Sequence, residues 1–312
     1  MKHLPAVILL LIPILCSSQK VDFSEVDNYV WSLEVNKDIP IPELTGKLTM
    51  PFRSELHKVR AIFFWIASNI EYDNEDKEPE LYADYPSARE NLNETYKSRK
   101  GVCSGYSHLF RYMLRLSGIR SMVITGYARN DLKNIYPKKP NHAWNAVRIE
   151  DIWYLFDVTW ARDSSKRVND FWFKTDPELF VLNHYPIYRP YTFTQNQYSF
   201  EDFCQFPIYT RMFFDLNFTD EISRTGHFNA HNDTVTIPLK QNKKYLLLPR
   251  LYDTWKKEWI SSQEGGFVTG TDSFSLYIPA KGDFVLKLGA LRRENNSYII
   301  YDKLIYYTIE NR

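Results

Sequence analysis

Apolar positions recur with a helical period near the middle of the first hundred residues. Leu56, Val59, Phe63 and Ile66 fall on one face of the stretch 54–66, with Pro51 just before it and Ser54 suited to cap it. The polar, proline-bearing run 73–79 reads as an exposed loop. A second helix is predicted to begin near Cys103. It carries Tyr106, Leu109, Phe110, Met113 and Leu114 on one face, and Gly118 closes it as a C-terminal glycine would. After Gly118 short apolar, aromatic runs predict strands over 121–127, 143–149 and 153–158, the first two separated by a turn-forming, lysine-bearing loop at 130–141. Helices followed by consecutive strands predict an α+β domain with an antiparallel sheet.

Beyond about residue 205 the pattern becomes β-rich. Runs at 234–237, 245–248, 273–278, 283–288 and 297–308 alternate with polar turns, which predicts an all-β, sandwich-like second domain. There is no internal repeat and no long low-complexity linker. The expected organisation is a leader at 1–18, an α+β domain at 19–205 and a β-sandwich-like domain at 206–312.

Composition narrows the function classes. The chain has 39 basic and 38 acidic residues among 312, a net charge of +1, which calls for neither nucleic acid nor a charged membrane as partner. Met1-Lys2, the uncharged run Leu4 to Leu15 and the small residues Cys16-Ser17-Ser18 have the form of a secretory signal cleaved after Ser18, too short to span a bilayer. Secretion or a periplasmic or cell-surface location is expected. Lipid anchoring through Cys16 is the competing reading, disfavoured by the bulky Leu15 before it. Cleavage leaves Cys103 and Cys204, which could form one disulfide in an oxidising compartment. Asn-x-Ser/Thr sequons begin at Asn93, Asn217, Asn232 and Asn295 and predict glycans only in a eukaryote.

Against that background Cys103, His142 and Asp157 stand out. Cys103 heads a helix, whose positive end favours a thiolate and whose first N–H groups could hold an oxyanion. His142 opens a strand as a potential general base, and Asp157 ends the next, placed to orient the imidazole. Trp144, Trp153 and Trp160 are expected to shield the three from water. Taken singly, each has a plainer explanation: a buried small residue, a surface histidine, a hydrogen-bonded aspartate. No Cys-x-x-Cys or His-x-x-x-His spacing supports zinc, so neither metal nor cofactor is expected.

At these residues the chain resembles the transglutaminase-like superfamily, in its kyphoscoliosis-peptidase-like branch. The resemblance runs through Lys58 to Ile66 with Asn69-Ile70-Glu71-Tyr72-Asp73, Gly101-Val102-Cys103-Ser104-Gly105-Tyr106, Asn141-His142-Ala143-Trp144-Asn145 and Phe156-Asp157-Val158-Thr159-Trp160. It continues through Phe171-Trp172-Phe173, Asp176-Pro177-Glu178 and His184-Tyr185-Pro186. Where the branch carries a Trp-Gln pair, this chain has Tyr188-Arg189-Pro190-Tyr191. The resemblance implies a papain-like fold and a Cys103–His142–Asp157 triad acting on an amide bond of a protein or peptide. Hydrolysis is the preferred outcome. Transamidation by a lysine amine is the alternative, and a non-catalytic scaffold that keeps the fold is a second. His184 is expected to cap or pack where the two domains meet.

Overall fold

The computed structural model describes residues 21–36, 38–74, 81, 85–162, 167–216, 218, 222–240, 244–260, 267–269, 272–295 and 297–312. The expected leader at 1–18 lies outside them, as does most of the expected loop at 73–79. Of that loop Asp73 and Asn74 are described, and Asp73 is buried, its carboxylate 3.2 Å from the Lys100 ammonium.

The helical part comprises α1 (Ser24–Ser32), α2 (Ile41–Thr49), α3 (Glu55–Asn69), α4 (Tyr85–Ser98) and α5 (Cys103–Leu116). Ser54 caps α3 by accepting from the His57 amide. One apolar face was expected on α3, but Val59 to Ser68 are buried all round, because α1, α2 and α5 pack about it. The cost of burying Arg60 there is offset by two carboxylates. Asp27 on α1 accepts from it at 2.7 and 2.6 Å, and Asp170 lies 2.7 Å away. On α5 the expected face of Tyr106, Leu109, Phe110, Met113 and Leu114 is buried, and Gly118 takes the left-handed conformation at φ 77°.

A parallel bridge between β1 (Glu71–Tyr72) and β2 (Lys100–Gly101) ties the end of α3 to the entry of α5. Three strands follow: β3 (Ser121–Ala128), β4 (His142–Ile149) and β5 (Ile152–Phe156). After the short α6 (Pro177–Phe180), β6 (His184–Pro186) returns to the far edge, giving an antiparallel sheet in the order β5-β4-β3-β6. Helices plus this sheet enclose one hydrophobic core, from Val26 to Phe180.

A second core runs from Val181 to Ile309 and lies in the β-rich half. Here α7 (Phe200–Gln205), β7 (Ile208–Tyr209) and α8 (Arg211–Asp215) precede β8 (His227–Asn229), β9 (Thr234–Pro238), β10 (Leu246–Asp253), β11 (Glu258–Trp259), β12 (Phe267–Thr269), β13 (Ser273–Tyr277), β14 (Gly282–Glu294) and β15 (Ser297–Asn311). One sheet has the order β11-β10-β14-β15-β7 with β8 on β15, and a smaller one has the order β12-β13-β9. Valine, isoleucine and phenylalanine alternate inward on β9 and β13, where Val235, Ile237, Phe274 and Leu276 are buried. Arg129, fully buried just after β3, donates to the Phe203 and Phe206 carbonyls and so fastens the two halves together.

Candidate active site

The site is assembled by the register of the β4-β3-β6 strands. Gly126 on β3 lies opposite His142 on one side and Pro186 on the other, and Ala128 lies opposite His184. Directly paired residues of antiparallel strands share a face, so His142, Trp144 and His184 project to the same side across two small residues. Smallness is required there. A Cβ on Gly126 would come 2.2 Å from the Tyr185 carbonyl oxygen and 2.6 Å from the Trp144 ring. The two imidazoles can therefore meet over β3, their ring centres 5.4 Å apart.

Asp157 follows the last residue of β5 and is completely buried. Its Oδ1 accepts from the amides of Thr159 (3.0 Å) and Trp160 (2.9 Å). Its Oδ2 accepts from His142 Nε2 at 2.7 Å and from His184 Nε2 at 3.0 Å. Four donors and an adjacent imidazolium outweigh the burial penalty and hold the carboxyl far below the usual carboxylate range.

Cys103 is the first residue of α5, after Val102 in extended conformation, and is only 1 % exposed. Two bonds clamp its helix to the histidine strand. Ser107 Oγ donates to the Ala143 carbonyl at 3.0 Å, and Asn145 Nδ2 donates to the Ser107 carbonyl at 3.0 Å. Gly105 lets α4 approach the same turn, since a Cβ there would stand 2.1 Å from Thr95 Oγ1. Burial alone would lower the basicity of His142. The negative charges of Asp157 and Cys103, with hydrogen bonds to both, reverse the sign and raise it to about 10. With Nε2 committed to Asp157, the ring's other nitrogen is left for the sulfur. Cys204 is not paired with Cys103, and both are free thiols.

The aromatic shell differs from expectation in one member. Trp160 stacks on His142 at 5.1 Å and Trp144 at 6.2 Å, but Trp153 stacks on Phe193 instead. Four residues at about 3.3 Å each separate Trp153 from Asp157 along the chain, too far for its ring to reach the imidazole. Trp172 takes the third place, 5.2 Å from the His184 ring. His184, expected to cap or pack, does pack among aromatic rings and is in addition a direct partner of the carboxylate. The only signal for it in the sequence is the short His184-Tyr185-Pro186 element, which has no periodicity to mark it as a strand.

His142, Asp157 and His184 also offer three metal-capable atoms within 4.8 Å of one another. Both Nε2 atoms, however, stand at hydrogen-bond distance from a single oxygen. A tetrahedral ion with bonds of about 2.1 Å would spread those atoms to roughly 3.4 Å. The spacing fits N–H donors on a carboxylate.

Beside the cluster opens a cleft of about 940 Å³, lined by Tyr72, Trp160 and Trp172 from the first half and by Tyr209, Arg211 and Lys303 from the second. Burial, followed by the charges of Cys103 and Asp157, pushes the Tyr72 phenol up to about 12. Because the residue is 43 % exposed, solvent tempers that push. No helix among the described residues is long and apolar enough to cross a membrane.

Residues 42–158 match the model of the Transglutaminase-like superfamily. The chain is 27% identical over 280 residues to the kyphoscoliosis peptidase of Mus musculus, covering 86% of this chain and 40% of that protein. It is 25% identical over 301 residues to the kyphoscoliosis peptidase of Homo sapiens, covering 92% and 43%. The chain thus spans less than half the length of these curated relatives. Among solved structures, the periplasmic domain of TgpA from Pseudomonas aeruginosa is 19% identical, with 44% of this chain and 47% of that one covered and a TM-score of 0.30. Residues 42–158 thus carry the pattern of a transglutaminase-like domain, within a chain that is similar to the kyphoscoliosis peptidases.

Proposed function

We propose that this chain is an exported cysteine enzyme that cleaves an amide bond of a protein or peptide through a thioester on Cys103. One observation carries the reading: a buried imidazole is held by Asp157 at 2.7 Å and interacts with the thiol of Cys103 at a helix N-terminus. Cys103 Sγ attacks the carbonyl carbon, and the thiol proton resides on His142. The oxyanion forms against the first-turn amides of α5, which have no partners inside the helix. As the C–N bond breaks, His142 gives its proton to the leaving amine. Water then attacks the thioester, His142 takes a proton from it, and the C–S bond breaks to release the acid and restore the sulfur. Asp157 keeps the imidazole in the tautomer that this cycle needs.

Transamidation uses the same residues, with a lysine amine in place of water. Ammonia release from glutamine-containing peptides, with and without an added primary amine, separates the two outcomes by whether the amine is incorporated. A scaffold without catalysis is favoured by the near-complete burial of Cys103. A small thiol-directed probe decides that point, applied to the parent, Cys103→Ala and His142→Ala. Labelling of Cys103 no faster than that of free cysteine, and indifferent to His142, refutes the enzymatic reading.

A further inference from the structure

We propose that His184 is a positioning residue for the reaction, donating from Nε2 to the same Asp157 oxygen that His142 uses and so fixing the carboxylate that aims His142 at Cys103. The proposal rests on the enzymatic reading above and adds a fourth residue to its machinery.

The carboxylate has four acceptor sites in all. The Thr159 and Trp160 amides occupy Oδ1, and His142 takes one lone pair of Oδ2. Without His184 the remaining lone pair would be an unmet acceptor in a site closed to water, at a cost of about 1–3 kcal/mol. The side chain would also be free to pivot about its Oδ1 anchors. The second imidazole, at 3.0 Å, supplies the missing donor from the opposite side of β3.

His184 is itself held. Phe180 stacks on it at 4.1 Å, and Trp160, Trp144 and Trp172 approach at 4.4, 5.1 and 5.2 Å. Apart from an interaction with the Phe180 backbone, its Nδ1 makes no hydrogen bond of ordinary geometry among the described residues, so the bond to Asp157 is the ring's one well-formed polar bond. A purely packing role in such a cage would be met by phenylalanine or leucine without a buried polar nitrogen. An imidazole is costlier there, and the shared oxygen is its compensation.

The two histidines are unequal, which a positioning role requires. Burial foremost, and the charge of His142, lower His184 to about 4, whereas His142 is raised. His184 therefore stays neutral and does not compete for the thiol proton. When His142 passes its proton to the leaving amine, its ion pair with Asp157 loses strength. The His184 bond does not change at that moment. It keeps the carboxylate in place until water attacks the thioester and the same base is needed again.

The test measures alkylation of Cys103 by iodoacetamide, a reagent small enough for a nearly buried thiol, against pH in the parent, His142→Ala, His184→Phe and His184→Gln. The amide nitrogen of Gln can donate to Oδ2 from nearly the same place, and Phe cannot. Expected are rapid alkylation of the parent at pH 5–6 that depends on His142, and a loss of about 10–100-fold in His184→Phe, by analogy with the loss on removing partners that orient metal-bound imidazoles. The rate profile of that variant against pH should differ in shape from that of the parent. His184→Gln should stay within about threefold of the parent at equal or lower melting temperature. Superimposable parent and His184→Phe profiles overturn the proposal, as does a fall of both variants together. Should His184→Phe fail to fold, proton NMR of the parent decides. Three downfield imidazole N–H signals are expected, two from protonated His142 and one from His184 that is missing from His184→Gln, and an unchanged set of signals in His184→Gln overturns the proposal. If instead parent and His142→Ala alkylate alike, the enzymatic reading fails, an outcome distinct from any His184 result.

Discussion

Replacing Asp157 by Asn gives the sharpest energetic test of the site. His142 is ordinarily half-protonated near 6.5 and stands at about 10 here. At 1.36 kcal/mol per tenfold change, that displacement corresponds to about 5 kcal/mol of added affinity for the imidazolium. The sign follows from linkage. A group whose folded pKa is raised contributes stability that is fully present below 6.5 and lost as pH rises through 10. In Asp157→Asn the charge that favours the imidazolium is gone, so most of this contribution disappears at low pH. The variant should be less stable than the parent by about 3–5 kcal/mol at pH 6, the cost of breaking a buried ion pair. The gap should narrow by several kcal/mol toward pH 10, where His142 is losing its proton in the parent as well. Urea denaturation at pH 6, 8 and 10, reported as the difference between the two proteins, removes the background of other titrating groups. A gap that stays constant from pH 6 to pH 10 refutes the electrostatic account. A second readout is the tautomer. Asn offers an N–H where Asp157 offered an acceptor, so the imidazole turns its proton toward Cys103, and thiol alkylation at pH 6 should fall by orders of magnitude.

Other consequences can be checked one residue at a time. His184, at about 4, binds fewer protons folded than unfolded between pH 6.5 and 4, so the parent should lose about 3 kcal/mol on its account across that window and His184→Phe should not, by acid denaturation curves. Gly126→Ala forces its Cβ into the Tyr185 backbone and the Trp144 ring, and should lower the melting temperature and slow Cys103 alkylation together. Asp27→Ala leaves Arg60 buried with Asp170 alone and should cost about 3 kcal/mol in urea denaturation while leaving the pH profile of Cys103 unchanged.

Much of this was legible in the chain itself, and the exceptions have a common cause. The helix from Cys103 and the strand from His142 declare themselves through period and flanking glycine, because their own side chains make the pattern. The same holds for β9, β13, β14 and β15. His184 is different: its meaning comes from a carboxylate 27 residues earlier, reached only after β6 pairs with β3 over Gly126 and Ala128. Trp153 misled for the converse reason. It sits in an aromatic stretch near Asp157 in sequence, but an extended strand carries it away to Phe193. Asp73 read as solvated from its polar neighbours, while the ion pair that buries it depends on Lys100, brought there by the β1–β2 bridge. Short strands and contacts across a sheet leave little imprint on local composition.

The long strand β15 pairs with β14, β7 and β8 at once, and Lys303 within it forms part of the cleft wall beside Trp160. Residues 297–311 are synthesised after Cys103, His142 and Asp157. The helical half can therefore settle around its own core while one side of the groove is still missing. Its thiol and base would be assembled before the walls that select what reaches them, so timing of synthesis, as well as shape, governs when this protein could first act on another chain.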